Sequence, residues 1–214
     1  MTIHKDGYGT IFGLWTLFGI CIFLSLYFIQ WRLLSWSLAA IFFLIMVFLL
    51  YFFRVPDRVP AAGENIVTSV ADGKVVIVDK VIEKEYVGGE CIQVSVYMNF
   101  FNAHVNFWPV TGEVTYYKYH PGRYMLAFLP KASELNEHTS IGVKNRFGEV
   151  FFRQLAGTFA RRIVCYAVPG SAAVKGDECG IIKFGSRIDY HQVVQSQLSR
   201  QERRLVPLPH DGEI

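Results

Sequence analysis

Two long apolar runs, followed by a change of period, divide the chain. Ile11 to Gln30 and Leu33 to Phe53 are 20 and 21 residues without a charged side chain. At 1.5 Å rise per residue each spans roughly 30 Å, the thickness of a bilayer's hydrocarbon core. Only Trp31-Arg32 separates them, so the pattern predicts a tight transmembrane helical hairpin. A cleaved signal peptide fits poorly: the apolar part is too long, no small-residue cleavage site follows, and a second span comes at once. Trp15, Trp31, Trp36 and Tyr51 fall near the expected interfaces, where amphipathic rings settle. Lys5 precedes the hairpin, Arg54 and Arg58 follow it, and Arg32 alone sits between. That bias places both ends on the cytoplasmic side. Residues 1–54 therefore read as a membrane anchor, with helices at about 11–30 and 33–53.

After Arg54-Val55-Pro56-Asp57-Arg58-Val59-Pro60 the runs become short and β-branched. Lys74–Asp79, Cys91–Tyr97, Gly112–Tyr117, Ser140–Lys144, Val150–Leu155 and Arg162–Tyr166 read as strands, with Gly, Pro and Asn between them. Only Leu129–Asn136 and Thr158–Arg162 read as helix. The expected fold is mainly β, a barrel or sandwich with few short helices, making one domain over 55–214. Gln197 to Ile214 reads as a polar tail.

Composition narrows the partners. The chain has 214 residues, 52% of them hydrophobic and 15% aromatic, with a formal net charge of +3. Lys5, Arg32, Arg54 and Asp6 are the only charges of the first 54 residues, which leaves 18 basic and 17 acidic side chains beyond them. That balance excludes a general nucleic-acid binder. Cys21, Cys91, Cys165 and Cys179 show no CxxC spacing, so neither a zinc site nor a disulfide framework is expected.

The candidate chemistry lies far apart along the chain. A Ser hydroxyl held against the preceding carbonyl is an intramolecular nucleophile, and Gly185-Ser186 ends the apolar run that starts at Ile181. Gly170-Ser171 is a second copy of the dipeptide, and either reads as an ordinary turn by itself. His104, in Phe100-Phe101-Asn102-Ala103-His104-Val105-Asn106, lies beside strand material; taken alone it reads as a hydrogen-bonded structural residue. His120 reads as a turn residue, and His138 and His191 as exposed ones. Asp72 in Ala71-Asp72-Gly73-Lys74 is a turn former. A carboxylate can also steady a His, and a His can activate a Ser.

The order of motifs adds to this. Phe52-Phe53-Arg54-Val55-Pro56-Asp57-Arg58 closes the anchor. Val70-Ala71-Asp72-Gly73-Lys74-Val75-Val76 and His104-Val105-Asn106 with Pro109 and Gly112 follow. Then come His120-Pro121-Gly122, Lys131-Ala132-Ser133-Glu134-Leu135-Asn136-Glu137, Gln154-Leu155-Ala156-Gly157, Ala160-Arg161-Arg162-Ile163-Val164 and Phe184-Gly185-Ser186-Arg187-Ile188-Asp189. In this order, over nearly its whole length, the chain resembles the phosphatidylserine decarboxylase proenzymes of the short, bacterial membrane-anchored type.

That resemblance implies autocatalytic cleavage between Gly185 and Ser186, giving a larger chain (1–185) and a smaller one (186–214) that form a heterodimer. It implies that Ser186 becomes a covalent pyruvoyl cofactor, which binds the substrate amine as a Schiff base, and that the matching Asp72 and His104 assist. The expected reaction is decarboxylation of the phospholipid phosphatidylserine to phosphatidylethanolamine and CO₂, at the inner membrane with the catalytic domain cytoplasmic. No metal and no nucleic-acid partner are implied. Many relatives have Arg directly after His-Val-Asn, where this chain has Phe107-Trp108. Arg123, Lys131, Arg161, Arg162 and Lys183 are the cations available for the phosphate, and the two aromatics are expected under acyl chains or in the core. Two other readings stand beside this one: a pyruvoyl decarboxylase of a soluble amino acid, and a membrane-tethered lipoyl or biotinyl carrier barrel using Lys80.

Overall fold

A computed structural model describes residues 2–129, 131–158, 162–183 and 186–193, with side chains as far as His191. The uncharged runs form α1 (Tyr8–Phe28) and α2 (Arg32–Phe52), preceded by β1 (Thr2–Ile3) and a 3-10 turn at Lys5–Gly7, and followed by β2 (Arg54–Val55). Both helices are long and apolar enough to cross a membrane. Trp15 Nε1 donates to the Met46 carbonyl at 3.1 Å, and Phe18 stacks on Phe42, so the pair is an antiparallel hairpin. Phe12, Phe23, Leu33 and Leu44 are exposed on it, as lipid-facing side chains are. Antiparallel pairing of Thr2 with Val55 and Ile3 with Arg54 ties its two ends. Gly7 is required there, because a Cβ would lie 2.7 Å from the Phe53 ring. Met1–Asp57 and Arg58–Ile214 are two separate compact units.

The second unit is built from strands. In chain order they are β3 (Lys74–Glu83), β4 (Gly89–Met98), β5 (Val105–Phe107), β6 (Gly112–His120), β7 (His138–Asn145), β8 (Gly148–Ala156), β9 (Arg162–Cys165), β10 (Ala172–Ala173), β11 (Glu178–Lys183) and β12 (Ser186–Val193). Seven form one antiparallel sheet, ordered β10-β6-β7-β8-β12-β4-β3, and β5-β11-β9 form a second. The large sheet ends in edges at β10 and β3 rather than closing. Of the two β architectures expected, the sandwich is the one observed. Val94, Val96, Met98, Phe152, Ala156, Ile188 and Tyr190 from the large sheet pack with Cys179 and Ile182 of the small one, and Trp108 and Val110 fill the space between.

The expected strands all recur, most of them longer than predicted, because pairing extends them into polar flanks. The expected helix at 129–136 is one short turn, α3 (Ala132–Leu135). Its Ser133 is drawn to Asp189, and the Asn136 amide is fixed between Met125 and Ala156, which ends the helix. The second expected helix, at 158–162, falls largely outside the described residues, and Arg162 belongs to β9.

Candidate active site

Ser186 is the first residue of β12, and its neighbours Phe184 and Gly185 lie outside the described residues. The strand is central in the large sheet, so Ser186 is paired with Met98 of β4 on one side and Ala156 of β8 on the other. Side chains alternate along a strand. Ser186, Ile188 and Tyr190 therefore face the core, and Arg187, Asp189 and His191 face the opposite side. Ser186 is fully buried, and its Oγ lies 3.8 Å from Met98 Sδ.

Met98 also leads to His104. The turn Asn99–Asn102, closed by Asn102 N–H donating to the Asn99 carbonyl at 3.1 Å, folds the chain back, and His104 follows it, wholly buried. Its main-chain carbonyl accepts from Ile182 N–H at 3.2 Å, which seats it beside β11. Its Nδ1 lies 3.0 Å from the Asn102 carbonyl oxygen. A carbonyl only accepts, so Nδ1 carries the proton and Nε2 is the basic nitrogen of the neutral ring.

Asp72 reaches the same end of β4 by another route. A Cβ on Gly73 would lie 2.4 Å from the Tyr97 carbonyl oxygen, so only glycine lets this turn lie flat on β4. Tyr97 in turn pairs with Arg187, next to Ser186. Upstream, the Tyr190 hydroxyl donates to the Thr68 carbonyl at 3.1 Å and accepts from Val70 N–H, tying this segment to β12. The Asp72 carboxylate itself is bound by the Arg58 guanidinium. The backbone segments that carry Asp72, His104 and Ser186 thus meet the Met98 end of β4.

The family model for phosphatidylserine decarboxylase matches residues 45–201. The chain belongs to the phosphatidylserine decarboxylase family. It is 41% identical over 191 residues to the phosphatidylserine decarboxylase proenzyme of Cytophaga hutchinsonii, covering 88% of this chain and 87% of that one. Over 200 residues it is 37% identical to the proenzyme of Parabacteroides distasonis, covering 92% and 91%. The proenzyme of Amoebophilus asiaticus is 50% identical over 147 residues, covering 68% and 65%. As a family member, the protein is a decarboxylase.

Several features of this decarboxylase were not visible as motifs. Behind Ser186, the fully buried Arg187 and Asp189 form an ion pair, with Nε and Oδ1 2.8 Å apart though poorly angled for a hydrogen bond. A second arm, Arg187 Nη2 to Asp189 Oδ2, is 3.0 Å long. Ser133 Oγ donates to Asp189 Oδ2 at 2.7 Å, and Arg187 Nη1 donates to the Leu129 carbonyl at 3.0 Å. Leu129 and Ser133 are thereby held to the strand that begins at Ser186.

Next to this pair, on the same face, lies a larger polar cluster. Arg153 bonds Glu83 and Glu85, each at 2.8 Å; Glu85 also accepts from Ser140 at 2.9 Å and pairs with His120. His120 stacks on His138, with ring centroids 4.4 Å apart. Burial raises the Glu85 carboxyl, but hydrogen bonds from His120, Ser140 and Arg153 outweigh that and hold it at about 2. Glu85, His120 and His138 bring ligand atoms within 4.8 Å of one another. The two rings are stacked, and His120 and Arg153 already engage the Glu85 carboxylate. His138 and His191, expected to be exposed, are buried here opposite Leu155 and Phe151.

The expected substrate cations divide. Arg123 and Lys131 are exposed on the segment that Arg187 clamps through Leu129, whereas Arg162 is exposed on β9. Lys183 is buried, and Arg161 lies outside the described residues. Phe107 and Trp108 are buried; Trp108 sits in the core edge-on to Phe152, where no phosphate can reach it. Lys80 is exposed in the middle of β3, not at a hairpin tip where a swinging-arm lysine belongs.

Proposed function

We propose that this decarboxylase is made as a proenzyme that cuts itself between Gly185 and Ser186 and then converts phosphatidylserine to phosphatidylethanolamine and CO₂. The observation that supports this best is Ser186 as the buried first residue of a central strand, with the His104 and Asp72 segments folded onto the same end of β4. His104 Nε2 takes the Oγ proton as Oγ attacks the Gly185 carbonyl carbon. The carbon–nitrogen bond gives way to an ester, and the freed amine takes the proton. Loss of the Ser186 Cα proton then expels the Gly185 carboxylate, and hydrolysis of the unsaturated residue releases ammonia and leaves a ketone. The Nδ1–H stays on the Asn102 carbonyl, and Asp72, held by Arg58, offsets the charge of the imidazolium through space.

A pyruvoyl group at position 186 supplies an electrophilic ketone and a sink for the electrons left when the Cα–carboxylate bond breaks. The position suits such a group, because β4 and β8 fix residue 186 from both sides whether or not the chain is cut before it. His104 delivers the proton to the substrate Cα. Arg123 and Lys131, exposed on either side of the Leu129 that Arg187 holds, bind the phosphate. Because β12 lies inside the sheet between strands of the larger product, the 186–214 chain stays bound after cleavage as a heterodimer. The apolar hairpin holds the enzyme at the inner membrane, with the catalytic unit on the cytoplasmic side.

Ser186→Ala tests the central claim: the variant should run as one uncut band and release no CO₂ from phosphatidylserine in detergent. Two chains in that variant would move the cut elsewhere, with Gly170-Ser171 next in line. Turnover of free serine as fast as of phosphatidylserine would refute the lipid substrate.

A further inference from the structure

One surface of the second unit reverses the usual order of burial. In the stretches 121–129 and 131–135, Leu126 is 46%, Phe128 47% and Leu135 40% exposed, whereas the small Ala127 and Ala132 are 4% and 0% exposed. A buried Leu or Phe gains more than a buried Ala, because more apolar area leaves water. A chain that had only its own core to satisfy would turn the large side chains inward. Here the alanines go in and the large side chains stay out. Tyr124 joins them, its ring exposed and its hydroxyl donating to the Glu137 carboxylate.

Main-chain contacts gather these residues. Arg123 N–H donates to the Leu135 carbonyl at 2.7 Å, and Glu137 N–H to the Arg123 carbonyl at 3.0 Å, which brings Leu135 beside the start of the first stretch. The Asn136 amide holds Met125 through its N–H and its carbonyl, each at 2.9 Å. Leu129 N–H closes a turn on the Leu126 carbonyl at 3.1 Å, which keeps Leu126 and Phe128 close together. The Phe128 ring stands edge-on to Tyr97 with centroids 6.0 Å apart, and the exposed Phe101 follows Tyr97 in the Asn99–Asn102 turn. Tyr97 is paired with Arg187, and Arg187 holds the Leu129 carbonyl. The apolar face therefore adjoins the strand that Ser186 begins. Arg123 and Lys131 are exposed in the same two stretches, and Glu134 is their one exposed acid.

We propose that this face docks on an anionic phospholipid bilayer, with Leu126 and Phe128 entering the acyl boundary and Arg123 and Lys131 lying among the headgroups. The proposal rests on the reading above, in which the hairpin crosses a bilayer and the substrate is one of its lipids. Contiguous exposed apolar side chains mark a surface that meets something less polar than water. Tyr124, apolar in its ring and polar at its tip, suits the interface between hydrocarbon and water. The two cations are drawn to an anionic surface, each strengthening attachment by about fivefold. Docking bears on how the lipid is captured. With the apolar tips inserted, Arg123 and Lys131 sit at headgroup depth and meet a phosphate that is still in the bilayer plane. The acyl chains then never have to leave hydrocarbon for water.

Depth is measured on the full-length Ser186→Ala chain in nanodiscs of phosphatidylcholine and phosphatidylglycerol. With Cys21→Ala and Cys165→Ala in place, the native thiols that remain, Cys91 and Cys179, are buried. A nitroxide attached through Leu126→Cys or Phe128→Cys should collide more with oxygen, which concentrates in hydrocarbon, than with a nickel chelate, which stays in water. Labels attached through Val78→Cys and Val168→Cys, exposed elsewhere on the unit, should show the reverse. Labels at 126 and 128 that match these controls overturn the proposal. So does poor collision with both reagents, which would mean that protein covers the face. Turnover is the second arm. Leu126→Ser combined with Phe128→Ser, with Ser186 intact, should raise the mole fraction of phosphatidylserine needed for half-maximal rate in vesicles by roughly tenfold, and change turnover of short-chain, monomeric phosphatidylserine by less than about twofold. An unchanged requirement in vesicles, or an equal loss on the monomeric lipid, overturns the proposal. A wild-type chain inactive on both lipids overturns the lipid-substrate reading instead, and the depth measurement, which needs no activity, still decides the docking.

Discussion

Replacing Asp189 with Ala isolates what the buried ion pair behind Ser186 contributes. Both side chains are fully shielded from solvent. The guanidinium loses its two contacts with the carboxylate, at 2.8 and 3.0 Å, and keeps the Leu129 carbonyl and Ser133. A buried charge stripped of its counter-ion destabilises by about 3–5 kcal/mol. For a domain of 150–250 residues each kcal/mol shifts the melting temperature by about 2–4 °C, so a fall of roughly 6–20 °C is expected. Calorimetry in detergent on the Ser186→Ala protein removes cleavage from the comparison. Arg187→Met combined with Asp189→Leu should recover most of the loss, because an apolar pair leaves no unmatched charge. On the proposed self-cleavage, the single substitution in the chain with Ser186 intact should also slow the appearance of two chains, since Arg187 follows Ser186 directly and holds Leu129. A single variant melting within 2 °C of its parent, or a double variant melting as low as the single, would refute this account.

Acid should weaken the fold in two stages. Burial, reinforced by Arg153, holds His191 neutral and brings its pKa from 6.5 to about 4, and burial likewise lowers His138. The unfolded chain binds those protons first, so stability is full above pH 6.5 and declines as pH falls toward 4; His191 accounts for about 3 kcal/mol of this. Glu85, held at about 2 against an ordinary 4.5, adds a further loss as pH falls through 4.5. Urea midpoints that stay flat between pH 7.5 and 5 would contradict this. Gly180→Ala would put a Cβ 2.2 Å from the Val164 carbonyl oxygen and 3.1 Å from Gln154 Nε2. It should destabilise by about 1–3 kcal/mol and slow appearance of the two chains. Gly89→Ala, which meets nothing within 4 Å, is the control, and equal melting of the two variants would refute the clash.

Local pattern was enough for the elements whose cause is local. Two uncharged runs of bilayer length define the hairpin, because hydrocarbon leaves a spanning chain no choice but helix. Alternating β-branched segments mark β3, β4, β6, β7, β8 and β9, and the order of motifs identifies the family. Short β5, two-residue β10 and glycine-interrupted β11 carry too little pattern of their own and exist through their partners. His138 and His191 look polar and exposed along the chain, yet pairing opposite Leu155 and Phe151 buries them. Arg187 and Asp189 resemble the polar end of an apolar run; a strand with neighbours on both sides makes them a shielded pair. The Arg58 partner of Asp72 and the Gln154 partner of Asn106 stand 14 and 48 residues away. The sequence by itself determined the two uncharged runs of bilayer length and, through the order of its motifs, the family. Which polar side chains are dry and which are paired was decided by the tertiary structure alone, because burial and pairing belong to a position in the packed sheets and not to a residue type.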